Sequence, residues 1–114
     1  MKIMRLADAK PYDAPGHFGM TPLRLHSAEL SGGKHLTLGL SNFLPGGGAE
    51  FSKVPETMDM NLIYYVVQGE MTVTTETETF VLRAGDSVEW VPGDGRGIKN
   101  ETNQPASMLV IVGK

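Results

Sequence analysis

From residue 22 onward, apolar and polar positions alternate with a period of two along most of the chain. Leu23 and Leu25 alternate with Arg24 and His26, and Leu36, Leu38 and Leu40 alternate with His35, Thr37, Gly39 and Ser41. A strand turns successive side chains to opposite faces, so these segments read as half-buried strands. Leu62 to Val67 is a continuous apolar and aromatic run, and Met71 to Thr75 alternates Met and Val with Thr. Glu76 to Thr79 then breaks the pattern before Phe80-Val81-Leu82, which predicts a strand, a hairpin and a returning strand. Arg83 to Asp86 reads as a turn, Ser87 to Val91 as a short strand, Pro92 to Gly95 as a second turn, and Met108 to Val112 as a buried closing strand. No segment predicts an amphipathic helix, because every apolar stretch is short and bounded by Gly, Pro or Asn. Pro45-Gly46-Gly47-Gly48 reads as a further turn; it lacks the following helix and Lys-Ser/Thr of a phosphate-binding loop. Residues 1–22, with Pro11, Pro15 and Pro22, read as an extended N-terminal arm, and residues 23–114 as an all-β sandwich or barrel.

Composition narrows the function classes. A length of 114 residues fits one domain. Ten Lys and Arg against 13 Asp and Glu give a net charge of −3, and the basic residues are scattered, so neither nucleic acid nor an anionic membrane is expected as a partner. Without cysteine there is no disulfide framework, thiolate metal site or thiol nucleophile. Met1 to Arg5 is not followed by an apolar signal core, and no apolar run approaches the ~20 residues of a membrane span. Cytoplasmic residence is therefore expected.

The spacing of Gly, Pro and Asn in the second half resembles the cupin family of small jelly-roll β-barrels. Gly85-Asp86 opens the family's second motif, Gly93 stands at its turn glycine and Asn100 at its asparagine; Val91 fills the proline slot, with Pro92 displaced by one. Arg96 stands where the family has a histidine. The first motif begins at Pro45-Gly46-Gly47 and ends at Gly69, in the segment Tyr65-Val66-Val67-Gln68-Gly69-Glu70. Its His-x-His slots fall on Ser52 to Val54 when counted from the left and near Pro55 to Met58 when counted from the right, where the Glu slot falls on Leu62. His17, His26 and His35 all precede Pro45, so no register supplies a histidine. The resemblance covers residues 36 to 112 and implies a cupin jelly-roll barrel, paired as a homodimer with help from the arm, whose His17 would be structural. It leaves function open, since the family includes isomerases, lyases, decarboxylases and binding domains.

If the family's ligand positions face inward, Glu50 and Ser52 share the interior face with Leu62, Tyr64 and Val66, and Arg96 points in from a third strand. Three converging neutral or anionic ligands are absent from that set, so no metal and no other cofactor is expected. A metal-independent enzyme would use Glu50 to move a proton on a small carbonyl or carboxylate compound, Arg96 to hold the anion or enolate, and Tyr64 to donate a hydrogen bond. His26, Ser52, Met58, Leu62 and Trp90 complete the candidate ligand-binding set, and a small, anionic molecule is the expected partner. A non-catalytic binding protein would use the same pocket. A third reading borrows metal ligands from His26 with Glu50 or Glu56.

Overall fold

The computed structural model describes residues 1–114. Nine strands form one antiparallel network: β1 (Lys10–Pro11), β2 (His17–His26), β3 (Leu36–Lys53), β4 (Asn61–Gln68), β5 (Glu70–Thr75), β6 (Thr79–Arg83), β7 (Ser87–Trp90), β8 (Gly95–Lys99) and β9 (Ala106–Gly113). A 3₁₀ turn at Leu6–Asp8 and one helical turn, α1 (Ala28–Ser31), are the only helical pieces. Ser27 starts α1 by accepting a hydrogen bond from the Leu30 N–H at 3.3 Å, and Gly32 stops it in the left-handed region. No helix is long and apolar enough to cross a membrane.

β3 organises the fold by belonging to two sheets. Residues 36–43 pair with β9, whereas residues 48–53 pair with β8, and β2 runs along the opposite edge of both halves. The glycine segment expected as a turn is therefore a corner inside one long strand. A Cβ on Gly47 would overlap the Gly19 carbonyl, and one on Gly48 the Ile98 carbonyl, so only glycine lets three strands meet this closely. β9, β4 and β7 continue the first sheet, and β8, β5 and β6 the second. The free ends approach where the Gly85 N–H donates to the Val66 carbonyl at 2.8 Å and the Val66 N–H to the Asp86 carbonyl at 3.0 Å, nearly closing a jelly-roll barrel.

The core lies between the two sheets. Phe43, Leu62, Tyr64, Val66 and Met108 from one sheet meet Met71, Val73, Leu82 and Ile98 from the other, all buried. These are the inward positions of the period-two pattern. At the corner, Asn100 is fully buried and donates to the Leu44 carbonyl at 3.3 Å and the Gln104 carbonyl at 2.7 Å, while its oxygen accepts from the Thr102 N–H at 3.0 Å and hydroxyl at 2.8 Å. Its backbone adds two bonds of 2.8 Å, to Gly46 and Gly47, so one side chain ties the corner to the loop before β9.

The N-terminal segment is less separate than an arm. β2 begins at His17, six residues before the expected domain start at residue 23, and pairs with β3 of the same chain, while β1 folds back on β2. The prolines escape the usual penalty: Pro11 is in a two-residue edge strand, Pro15 is in the β1–β2 connection, and Pro22 needs no N–H to pair through its carbonyl with Tyr12 at 3.1 Å.

Candidate functional site

One end of the barrel holds a cavity of about 210 Å³. Its floor is apolar, from Phe43, Leu62, Met108 and Val110, and its rim is polar, from Glu50, Ser52, Arg96, Tyr64, Tyr12 and His17. The two sheets supply these groups by alternation. Ser52 and Arg96 are direct cross-strand partners on β3 and β8, and Tyr64 reaches them from β4. A register shift between Ala49 and Ser52 marks a bulge in β3, and Ala49, Glu50 and Ser52 all line the cavity. Strict alternation would not bring all three to one space.

Arg96 is held by neutral groups alone. Its Nε–H donates to the Tyr64 hydroxyl at 3.3 Å, and Nη1 donates to the Ser52 carbonyl at 3.2 Å and hydroxyl at 3.3 Å. The guanidinium also lies 5.9 Å from the Tyr64 ring centre. No carboxylate lies within ion-pair range: the ion pairs of the protein are Lys53–Glu76, Arg83–Glu70 and Lys99–Glu101, so Glu50 is not the resting partner of Arg96. Because Tyr64 accepts from Arg96, its own O–H remains free to donate into the cavity.

Glu50 is exposed at the cavity mouth, and its N–H donates to the Gly16 carbonyl at 2.8 Å. A Cβ on Gly16 would sit in ordinary contact with Oε2 at 3.6 Å, and it is the φ of +74° that favours glycine there. His17 pairs across from Ala49, and its Nδ1 lies 3.0 Å from the Pro15 carbonyl. A carbonyl only accepts, so Nδ1 donates here and Nε2 is left to other partners.

Glu50, Ser52, Leu62, Tyr64 and Arg96 thus line one cavity, while the other three candidate residues lie elsewhere. His26 is tied to the Ser31 hydroxyl at 2.7 Å beside α1. Met58 is 43% exposed in the turn that follows Pro55. Trp90 is 5% exposed and packs edge-on behind Tyr64 at 5.8 Å, so it supports the cavity wall without lining it. Sequence reasoning missed His17, placed on a structural arm, and Tyr12, whose segment carries no strand-length pattern. The Gly16-His17-Phe18-Gly19 spacing was the available signal, since flanking glycines allow close approach to a neighbouring strand.

The residues present do not fit a divalent metal. No three His, Cys, Asp or Glu side chains are grouped so as to hold one. In the cavity, the two donors Glu50 and His17 share the space with the Arg96 guanidinium, and the slots where the resemblance implies ligands carry Ser52, Leu62 and Arg96. His26 and Glu56 do not line the cavity, so the borrowed-ligand set is not assembled.

Comparison with known proteins agrees with this architecture. A family model described as the cupin domain matches residues 40–112. A protein of Mycobacterium tuberculosis named β-D-galactosidase is 36% identical over 112 residues, covering 98% of this chain and 93% of the relative. Among solved structures, a predicted oxalate decarboxylase of Thermotoga maritima superposes with a TM-score of 0.82 at 21% identity, covering 98% of both chains. The polyketide cyclase RemF of Streptomyces resistomycificus gives 0.84 at 20% identity, covering 99% of this chain and 79% of that one. At these identities the two structures share the fold. The motif spacing, the two-sheet barrel and the family match together place this chain in the cupin family.

Proposed function

We propose that the protein is a metal-independent enzyme that moves a proton on a small compound of the sugar or sugar-acid class. The observation that carries this reading is the free guanidinium of Arg96 in the same cavity as the Glu50 carboxylate. The volume of about 210 Å³ is below the ~300–1,000 Å³ of sites for drug-sized ligands, which supports a ligand of single-ring size. In the proposed reaction, Glu50 takes a proton from the carbon beside a carbonyl. Arg96 and the Tyr64 hydroxyl hold the oxygen that gains the negative charge, and the proton returns to the same or a neighbouring atom. His17 Nε2 orients a ligand hydroxyl at the rim.

Hydrolysis of a galactoside is the second reading, favoured by the name of the 36% identical relative. Glycosidases commonly use two carboxyl groups about 5–10 Å apart, whereas Glu50 is the sole carboxylate of the cavity lining. Hydrolysis here would need His17 or Tyr64 as the second group. One experiment separates the two readings. The protein is incubated in D₂O with galactose, galacturonate and a chromogenic β-galactoside. Deuterium entering a carbon position supports proton transfer, chromophore release supports hydrolysis, and neither reaction over the whole panel, with ligand binding intact, leaves a binding protein.

We also propose that two copies pair through the outer face of the first sheet. The cross-strand row Leu23, Leu40, Leu109 and Tyr65 and the row Leu38, Ile111 and Ile63 face away from the barrel. Such a contiguous apolar surface favours a partner, and a second sheet of the same shape can pack face to face on it. Light scattering tests this: wild type should be dimeric and Leu109→Lys monomeric, whereas a monomeric wild type overturns it.

A further inference from the structure

We infer that the ligand site continues past Tyr12 into a neighbouring cavity, so that the protein takes a two-part ligand whose second unit is also carbohydrate-like. This rests on the reading that the barrel cavity holds a sugar-class head group. The second cavity, of about 360 Å³, lies along the N-terminal segment and is lined by Asp8, Lys10, Arg24 and Glu29 together with Met4 and Leu30. Tyr12 lines both cavities and is the partition between them.

The partition is positioned but not bonded through its functional group. The Tyr12 backbone N–H is fixed to the Pro22 carbonyl at 3.1 Å. Its hydroxyl reaches over Gly39, where a Cβ would lie 3.8 Å from Oη and 3.3 Å from the Leu23 carbonyl. That hydroxyl makes no hydrogen bond to the protein, leaving it to a ligand crossing the partition. The Arg24 guanidinium lies 4.0 Å from the Tyr12 ring centre and holds it from the second cavity's side. Together the two cavities fall within the usual range for ligands larger than one ring.

The chemistry of the second cavity selects a polyol over a simple anion. Lys10 and Arg24 are cross-strand neighbours, and neither forms an ion pair. Asp8 and Glu29 are equally unpaired. Two cationic and two anionic side chains in one lining suit hydroxyl groups, each of which both accepts and donates, whereas a phosphate would meet two carboxylates.

The test is an amide NMR titration of the full chain with methyl β-D-galactoside, which has one ring, and methyl β-lactoside, which has two. Both should shift Glu50, Arg96 and Gly97. The two-ring probe alone should also shift Lys10, Arg24 and Ser27, and should bind about tenfold tighter. Lys10→Met and Glu29→Gln, variants with little risk to folding, should each reduce that advantage while leaving one-ring affinity unchanged. Two-ring shifts confined to the barrel, or variants that weaken both probes equally, overturn the extension and leave the barrel reading standing. If neither probe shifts the barrel residues, the sugar reading fails and the extension fails with it.

Discussion

Asn100 and Arg96 stand four residues apart at the two ends of strand β8, and the protein treats them oppositely. Asn100 is wholly buried, and four side-chain bonds to Leu44, Gln104 and Thr102 occupy it. Arg96 is half-buried, held by a hydroxyl, a carbonyl and a ring, and has no carboxylate partner. A buried polar group whose partners are all internal serves the fold, because losing any of them costs free energy. A half-buried cation held in place without a counter-charge is available to an anionic ligand. On the proposed function, the difference separates the structural end of the barrel from the chemical end.

The largest effect should fall on chemistry. Glu50→Gln keeps the shape of an exposed side chain, so stability should change by no more than about 0.5 kcal/mol, while turnover of the substrate identified in the D₂O panel should fall about 10²–10⁴-fold. Equal activity in the variant would remove Glu50 from the mechanism. Next comes Asn100→Ala, which strands the Leu44 carbonyl and the Thr102 N–H, leaves the Gln104 carbonyl only the Thr102 hydroxyl, and should cost about 3 kcal/mol in chemical denaturation. A loss below about 1 kcal/mol would mean that the corner holds without it. Tyr64→Phe is the mildest of the three. Removing the acceptor of the Arg96 Nε–H should cost about 1 kcal/mol of stability, with weakened ligand binding because the guanidinium loses its orientation. Unchanged binding would show that Ser52 alone sets the position of Arg96.

Much of the fold was legible because its determinants are local. Period-two alternation gave the inward residues Leu62, Tyr64 and Val66, and the spacing of Gly85, Gly93 and Asn100 gave the second half of the barrel. The corner at Gly46–Gly48 was legible as a break in geometry but not as a change of partners within one strand, since pairing of β3 with β9 and then β8 is non-local. The site was legible where it lies on regular strands, at Ser52, Leu62, Tyr64 and Arg96. It was not legible where the N-terminal segment folds back: His17 and Tyr12 reach the cavity through pairing with β3 and a bond to Pro22, which no periodicity announces. Trp90 was misplaced because alternation tells which face a residue takes and not how deep it sits behind Tyr64.

The most direct test compares thermal shifts produced by galacturonate and galactose in wild type and in Arg96→Met. A guanidinium waiting for an anion predicts that the acid stabilises wild type by about 2.7 kcal/mol over the ligand-free protein at a hundredfold excess over its Kd, and that the neutral sugar at the same concentration stabilises it less. It also predicts that Arg96→Met loses the preference for the acid while its ligand-free stability falls by less than about 1.5 kcal/mol. A variant that keeps the preference for the acid, or one that loses the ~3–5 kcal/mol of a broken buried ion pair, would contradict the assignment of Arg96 to the ligand.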